Sequence, residues 1–313
     1  MIETDFLDSV DFVPGWQESP EEVLRVQGMQ PIGTFEDSPA GQISMGELPE
    51  VVSLHDAAIK VLGAPLPIRN QGAAGTCVSF GIVRAIELSL LWQIAFGGAP
   101  YSFPARGLAT EPIYGGSRVE VGQRRIGRGD GSIVGWGAEF AKRWGICARE
   151  KFPDHKIDLS TYSIPLSREW GWSGVPDGFE PTLKLHPVQA VAKVTTVEGW
   201  IKALAQGYAI AEGSNRLLAT KRGASGIITT YRGGGHCMAS AGYVTINGKR
   251  YIQIDNSWGG GSHTGPTHPK FPYDGGGLIP ESDAAAMVSQ GDTWALSSVV
   301  GFPTRDVDWS QIG

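Results

Sequence analysis

The sequence predicts an α+β fold in which a helix-rich first half is followed by a strand-rich second half. Residues 77–96 contain no proline and a single glycine, and their apolar side chains recur at helical spacing. In the second half, the apolar runs 237–246 and 250–255 flank the dipeptide Asn247-Gly248. Because this dipeptide favours the tight turn of a β-hairpin, we expect the two runs to pair as antiparallel strands.

In the first half of the chain, glycines mark the ends of the predicted helices. The long helix ends at Gly97-Gly98, and Thr76 is a suitable N-cap at its other end. This cap places Cys77 in the first turn of a largely buried helix. A second helix is predicted over residues 134–144, again followed by a glycine.

The two halves are joined by a proline-rich stretch. Residues 153–190 contain five prolines and predict a loop-rich connection. Beyond it, residues 196–206 have a helical pattern and residues 208–211 read as a strand.

Composition indicates a globular chain from a reducing compartment. The 313 residues, 41% of them hydrophobic, are enough to bury a large core. The three cysteines, Cys77, Cys147 and Cys237, are widely spaced and odd in number, which favours free thiols. The N-terminus lacks a secretory pattern, and no apolar run approaches the roughly 18 residues of a membrane span. We therefore expect a cytoplasmic protein without a membrane partner.

The acidic charge is concentrated in an N-terminal arm, residues 1–47. This arm holds ten acidic residues and one arginine, so the rest of the chain, whose overall net charge is −6, is slightly basic. A basic face for nucleic acid is not evident. The arm reads as a separate unit, either a solvated tail or a segment that docks to a protein partner.

Four side chains in sequence order suit thiol chemistry. Cys77 at a helix N-terminus has the N–H groups and the dipole that favour a thiolate. His236 can act as its base, and a side-chain amide such as Asn256 can orient that imidazole. Gln71 and the Cys77 main-chain N–H can supply the donors that an oxyanion needs.

At these residues the sequence resembles the papain-like cysteine peptidases, family C1. Residues 70–77, Asn-Gln-Gly-Ala-Ala-Gly-Thr-Cys, resemble the segment with the family's oxyanion-hole glutamine and nucleophile. Gly235-His236 resembles its base segment, and Asn256-Ser257-Trp258-Gly259 matches its Asn-Ser-Trp-Gly signature. The resemblance covers roughly residues 48–300. Its start, Leu48-Pro49-Glu50-Val51, resembles the start of a mature peptidase. Late in the chain, Gly277-Leu278-Ile279-Pro280 and Thr293-Trp294-Ala295 are similar to closing strands of bacterial members, which suggests a bacterial or phage type.

The resemblance implies an architecture for the whole chain. We expect a two-lobed fold with a helical left lobe over about residues 48–165. An antiparallel, β-barrel-like right lobe would follow over about 166–300, with the active-site cleft between the lobes. The acidic arm precedes this peptidase domain, and residues 301–313 form a C-terminal tail.

The resemblance also implies residues that bind the substrate along the cleft: Asp130, Gly131, Ser132, Val134, Ile210, Gly235, Cys237 and Trp258. Of these, Val134, Ile210 and Cys237 are expected to line an apolar pocket. Trp258 is expected to shield the imidazole–amide hydrogen bond from water. For Cys237 and Trp258, ordinary core packing is the alternative.

The chain also departs from the family pattern. Val78 replaces the aromatic residue that usually follows the nucleophile. Residues 260–273 look like an insertion after the asparagine motif, and they contain His263 and His268. The spacing of these histidines matches no known metal-ligand set, so no metal and no organic cofactor are expected.

These features predict a cysteine-type endopeptidase that hydrolyses peptide bonds of a peptide or protein substrate. Cys77 would attack the carbonyl, and His236, oriented by Asn256, would protonate the leaving amine. The alternative is a structural or virion-associated component of a phage or viral assembly that uses the same fold. In that case residues 1–47 would be the docking segment, and the location would be the virion.

Overall fold

The computed structural model describes residues 13–98, 102–184, 188–298 and 301–305. The first part of the acidic arm and residues 306–313 of the expected tail lie outside this range.

The helices of the described chain are α1 (Pro20–Gln27), α2 (Leu54–Leu62), α3 (Cys77–Phe96), α4 (Glu111–Gly116), α5 (Val134–Trp144), α6 (Ile164–Ser173), α7 (Glu180–Leu183), α8 (Val197–Ala205) and α9 (Glu281–Val288). A π-helical turn, Ser117–Val121, continues α4. The helices predicted over 77–96 and 134–144 are confirmed as α3 and α5.

The strands are β1 (Val51–Ser53), β2 (Lys151–Phe152), β3 (Ile157–Asp158), β4 (Ala190–Lys193), β5 (Ile210–Arg222), β6 (Ile228–Ile246), β7 (Lys249–Asp255), β8 (Gly276–Pro280) and β9 (Asp292–Ser297). Within the described residues, seven of them form an antiparallel sheet in the order β4-β9-β5-β6-β7-β8, with β1 also paired to β6. Strands β2 and β3 form a separate pair.

The predicted hairpin between β6 and β7 is confirmed. Its two turn residues, Asn247 and Gly248, have φ angles of 51° and 72°. Left-handed backbone at both central positions is what a type I′ turn requires, and its twist matches that of the flanking strands. Strands β5 and β6 are both longer than predicted and extend toward the insertion at residues 260–273.

Helix α3 is the centre of the core and determines where the cleft lies. It packs against α2, α4 and α5 on one side and against β5, β6 and β9 on the other. By length and composition alone α3 could span a membrane, but 83% of its most apolar window is buried inside the protein. Because α3 begins where the helices meet the sheet, its N-terminus opens between the two lobes.

The connection at residues 153–190 is more ordered than its prolines suggested. It contains α6 and α7, and both helices begin with proline in the first turn. Proline is compatible with that position because the N–H it lacks has no intrahelical partner there. Pro165 and Pro181 therefore mark helix starts within a connection that the sequence predicts to be loop-rich.

The described part of the arm packs on the body of the protein. Helix α1 lies against α5, with Val23 and Val26 buried between them. The Glu22 carboxylate accepts a hydrogen bond from Trp136 Nε1 (3.0 Å) and pairs with Arg25 and Arg125. The Glu22 carboxylate thus has partners both in the arm and in the body of the protein.

Further along the arm, Glu36 and Phe35 make contacts with the β lobe. Glu36 Oε1 accepts hydrogen bonds from the main-chain N–H groups of Thr195 and Thr196 at the start of α8 (2.9 and 2.8 Å). A carboxylate at a helix N-terminus is favoured by the helix dipole. Phe35 is fully buried, and its ring contacts Phe302 from the segment expected as a tail.

Candidate active site

Cys77 is the first residue of α3 and is fully buried. The carbonyl of Thr76 accepts hydrogen bonds from Ser79 and Phe80, which starts the helix at the predicted place. The Thr76 hydroxyl does not cap the helix; it shares a hydrogen bond with the Tyr162 hydroxyl (2.8 Å). The free N–H groups of the first turn therefore surround the sulfur.

The Cys77 sulfur is held among main-chain groups but has no access to water. Burial raises the pKa of the Cys77 thiol to about 12. Main-chain hydrogen bonds from Cys237, Val78 and Gly15 act in the opposite direction and are outweighed. The contact with the amide of Cys237 joins the start of α3 to β6, one residue after His236.

His236 and Asn256 form the second pair of the site. His236 Nε2 donates a hydrogen bond to Asn256 Oδ1 (2.8 Å), and both side chains are buried. Asn256 Oδ1 also accepts from the main-chain N–H of Ser257 (2.8 Å), which fixes the direction of the amide. Burial lowers the pKa of His236 to about 4. In this closed state the imidazole is therefore neutral and the thiol is protonated.

Gln71 is buried on the loop before α3. Its Nε2 donates to the carbonyl of Ala74 (2.9 Å), and its Oε1 accepts from the Ser257 hydroxyl (2.8 Å). Its main-chain N–H donates to the carbonyl of Ser257 (2.9 Å). The loop of the nucleophile and the asparagine motif are thus joined by two hydrogen bonds between Gln71 and Ser257.

The arm crosses the cleft directly over the sulfur. Gly15 and Trp16 donate main-chain hydrogen bonds to the carbonyl of Gly235 (2.9 and 3.2 Å). On the other wall, Ser132 donates to the carbonyl of Gly15 (2.7 Å) and accepts from Gln17 (2.9 Å). A Cβ on Gly15 would lie 2.8 Å from the Cys77 sulfur. The arm therefore occupies the cleft as an extended strand.

Trp16 fills the pocket beside this strand. Its indole is 5% exposed and lies against Gly213 of β5 and Val134 of α5. Its Nε1 donates a hydrogen bond to Asp292 Oδ2 (2.7 Å). The pocket expected to be apolar thus ends in a buried carboxylate. Burial raises the pKa of Asp292, and its N–H donors act against this shift.

The loop with Asp130, Gly131 and Ser132 lies against the arm, on the side opposite Gly235. Asp130 accepts hydrogen bonds from Tyr114, Arg168 and the main chain of Gly75. Beside Asp130 the cleft widens into an open groove of about 550 Å³ that begins at Val13.

Two of the residues expected in the pocket lie elsewhere. Ile210 is three residues before Gly213 on β5, so its side chain points to the opposite face of the sheet from Trp16. The Cys237 side chain packs against Gly81 of α3, within the core. Its main-chain amide contacts the Cys77 sulfur. Successive side chains of a strand point to opposite faces of the sheet, and this alternation determines where Ile210 and Cys237 lie. The motifs did not show which residues of each strand face the cleft.

Trp258 lies beside the imidazole. Its ring centroid is 5.0 Å from that of His236 and 5.8 Å from that of His263, with interplanar angles near 30° in both pairs. It is 8% exposed and lies between the rings of the two histidines that bond to Asn256. His263 comes from the 260–273 insertion, and sequence reasoning considered it only as a metal ligand.

Among the described residues, no group of histidine, cysteine, aspartate or glutamate side chains is arranged to hold a metal ion. Sequence reasoning missed Trp16 and Asp292 as cleft residues. A tryptophan after Pro14-Gly15 in the acidic arm was the one available signal for Trp16, and nothing marked Asp292.

No family model matches the sequence. No curated protein matches it either. The fold, in contrast, is similar to those of many solved structures.

One similar structure is xylellain, a cysteine protease from Xylella fastidiosa, at a TM-score of 0.53 and 16% identity, covering 93% of this chain and 96% of that one. Another is procathepsin B S9 from Trypanosoma congolense, at 0.53 and 14%, covering 96% and 90%. Digestive procathepsin L2 from the larval midgut of Tenebrio molitor gives 0.56 and 15%, covering 92% and 78%. The chain therefore has the α+β fold of the papain-like cysteine proteases, as its motifs suggested.

Proposed function

We propose that this protein is a cysteine endopeptidase with Cys77 as nucleophile and His236 as its acid and base. The observation that carries the proposal is the convergence of two elements. Cys77 at the start of α3 contacts the amide of Cys237, while the adjacent His236 is held by Asn256 at 2.8 Å. A thiol beside an oriented imidazole is the arrangement that activates a cysteine nucleophile.

The proposed reaction has two steps. The Cys77 thiolate attacks the peptide carbonyl carbon, and His236 in its protonated form gives its proton to the amine as the C–N bond breaks. A thioester to Cys77 remains. A water molecule, deprotonated by His236, then attacks this thioester and releases the acid, which restores the thiol.

Gln71 and Cys77 supply the donors for the oxyanion in this proposal. The amide nitrogen of Gln71 carries two hydrogens, and only one is needed for the bond to Ala74. The second hydrogen and the Cys77 main-chain N–H are the donors that would stabilise negative charge on the substrate oxygen. The bonds of Gln71 to Ser257 keep its amide in place.

The closed cleft is the resting form of this enzyme. The arm lies over Cys77, and its Gly15 carbonyl is bonded to Ser132 and is not directed at the oxyanion donors. The arm therefore blocks the access of a substrate to Cys77. Since burial keeps the thiol protonated and the imidazole neutral, opening the arm is required before the ion pair forms.

The test is cleavage of a peptide library by the full chain and by a variant whose arm is loosened, Gly15→Ala. We expect turnover in the Gly15→Ala protein, its loss on adding Cys77→Ala, and labelling of Cys77 by a thiol-directed epoxide. Cys147→Ala is the matched control, because this thiol is buried away from the cleft. Turnover that survives Cys77→Ala would contradict the proposal, as would no turnover in any folded variant.

The alternative role, a component of a phage or viral assembly, requires an arm that is available for docking. The described part of the arm instead buries Trp16, Val26 and Phe35 against the chain's own lobes. This packing favours an arm that serves the enzyme itself.

A further inference from the structure

The insertion at residues 260–273 reaches the catalytic asparagine. Its start is attached to the end of β5, where Thr264 exchanges main-chain hydrogen bonds with Thr220 (2.7 Å) and Arg222 (2.8 Å). The Ser262 hydroxyl donates to the carbonyl of Gly259 (2.8 Å) and closes the turn. His263, between these two anchors, is 1% exposed and points at Asn256.

The hydrogen bonds of His263 determine which of its nitrogens carries the proton. His263 Nδ1 lies 2.8 Å from the carbonyl of Ala219, and a carbonyl only accepts, so Nδ1 is the protonated nitrogen. In a neutral ring Nε2 is then an acceptor. It lies 3.0 Å from Asn256 Nδ2, which donates to it.

This bond continues through Asn256 to the catalytic imidazole. With its Nδ2 hydrogen directed at His263, Asn256 presents Oδ1 to His236, whose Nε2 must carry the proton. The other nitrogen of His236, Nδ1, is then the acceptor that a thiol proton needs. The chain Ala219–His263–Asn256–His236 thus selects the tautomer of His236.

We propose that His263 is a positioning residue that holds Asn256, and through it His236, in the orientation and tautomer that catalysis requires. This inference rests on the proposed function. It assigns to His263 a hydrogen-bonding role that is separate from its stacking on Trp258.

The environment of His263 keeps its ring neutral. Burial lowers the pKa of His263 to about 4, the Ala219 carbonyl raises it, Arg222 lowers it and Asp274 raises it. A protonated ring would direct Nε2–H at the Asn256 amide hydrogens. The two donors would then repel each other, and the amide could not keep both of its bonds.

Two substitutions separate the hydrogen bond from the packing. His263→Phe keeps a ring against Trp258 but removes the acceptor, whereas His263→Gln keeps an acceptor but removes the ring. In the full chain we expect His263→Phe to lower kcat about tenfold or more with little change in KM, since loss of a supporting hydrogen bond typically costs this much. We expect His263→Gln to retain kcat within about threefold of wild type.

A second readout needs no substrate. The rate of Cys77 alkylation against pH reports the thiolate that His236 stabilises, and all three proteins keep the native arm sequence. We expect the midpoint of this profile to rise by about one unit in His263→Phe, equivalent to a tenfold weaker ion pair. We expect no such rise in His263→Gln. Cys77→Ala corrects for alkylation of the other thiols.

The wild-type protein provides a test that does not depend on the folding of any variant. Imidazole ¹⁵N shifts should show His263 with its proton on Nδ1 and His236 with its proton on Nε2. The opposite tautomer at His263 would overturn the inference, as would equal losses in the two variants or an unchanged His263→Phe. If no peptide is cleaved by any variant, the proposed function fails, while alkylation and tautomer still decide the role of His263.

Discussion

Trp16 Nε1 lies 2.7 Å from Asp292 Oδ2, a hydrogen bond between the N-terminal arm and the first residue of β9. Asp292 also accepts from the main chain of Val134 and Gly135 and from Trp294 Nε1, so four donors converge on one buried carboxylate. Three of these donors belong to the body of the protein, and only Trp16 can leave. This hydrogen bond therefore helps to hold the arm over Cys77.

Replacing Trp16 by Phe should remove this hydrogen bond while a ring still fills the pocket. A hydrogen bond to a charged group contributes about 1.5–3 kcal/mol, so its loss should favour the open arm by roughly tenfold or more. We expect Cys77 alkylation at neutral pH to accelerate by that factor. Trp172→Phe is the control, since this indole is 45% exposed and is not a donor to Asp292. An unchanged rate in Trp16→Phe would show that the indole bond does not hold the arm.

Gly15 lies where the arm has no space for a side chain against the loop before α3. A Cβ there would lie 2.4 Å from the carbonyl oxygen of Gly75, in addition to its contact with the Cys77 sulfur. Forcing a methyl group into such a packed site costs about 1–3 kcal/mol, and detaching the arm relieves that cost. Gly15→Ala should therefore raise the alkylation rate and the turnover of peptides by roughly tenfold to a hundredfold.

The control for Gly15→Ala is Gly33→Ala on the same arm, where the nearest atom to a new Cβ is 3.6 Å away. This variant should behave as wild type. Equal activation by both substitutions would indicate that the arm is loosened by any change, and not by the contact at the sulfur.

The later part of the arm belongs to the fold. Phe35 is fully buried between Tyr208 and Phe302, with ring centroids 6.2 and 5.3 Å away. Phe35→Ala should lower the free energy of unfolding by about 3–5 kcal/mol, as truncation of a buried aromatic usually does. Leu24→Ala, at a position 60% exposed, should change it by less than about 0.5 kcal/mol. Urea unfolding measures both, and a mild effect at Phe35 would support an arm that is separable from the body.

The sequence was informative wherever a local rule determines the structure. The helices over 77–96 and 134–144 and the turn at Asn247-Gly248 follow from periodicity, capping and φ preference. The prediction for residues 153–190 missed helices α6 and α7 because proline occurs both in loops and at helix starts. Residue order cannot distinguish these two uses without the packing that follows.

The motifs of the candidate site could be located from sequence, but the environment of the site could not. Trp16 and Asp292 meet across a separation of 276 positions, and the bond of His263 to Asn256 is formed by an insertion that carries no recognisable motif. The acidic charge of residues 1–47 suggested a solvated tail or a docking arm. Its carboxylates Glu22 and Glu36 instead have partners in the body, which composition alone does not reveal.

The two buried histidines of the site predict a loss of stability in acid. The pKa of His236 and that of His263 are both lowered from 6.5 to about 4, so the unfolded chain binds more protons than the folded one between these values. Each histidine therefore contributes stability that is present above pH 6.5 and is lost as the pH falls toward 4. The loss is about 1.4 kcal/mol per pH unit for each residue. Burial raises the pKa of Glu212, which opposes the trend equally in every variant.

Replacing His263 measures its contribution to the pH dependence of the unfolding free energy. Between pH 7 and pH 5, His263→Gln should lose about 2 kcal/mol less of its unfolding free energy than wild type, measured by urea titration at both values. His263→Phe should show the same reduction, because both variants lack the titrating group. The two variants should thus agree in the pH dependence of stability while they differ in kcat. Agreement in both properties would mean that His263 serves only as a buried side chain, since the acceptor that distinguishes Gln from Phe would have no effect on catalysis.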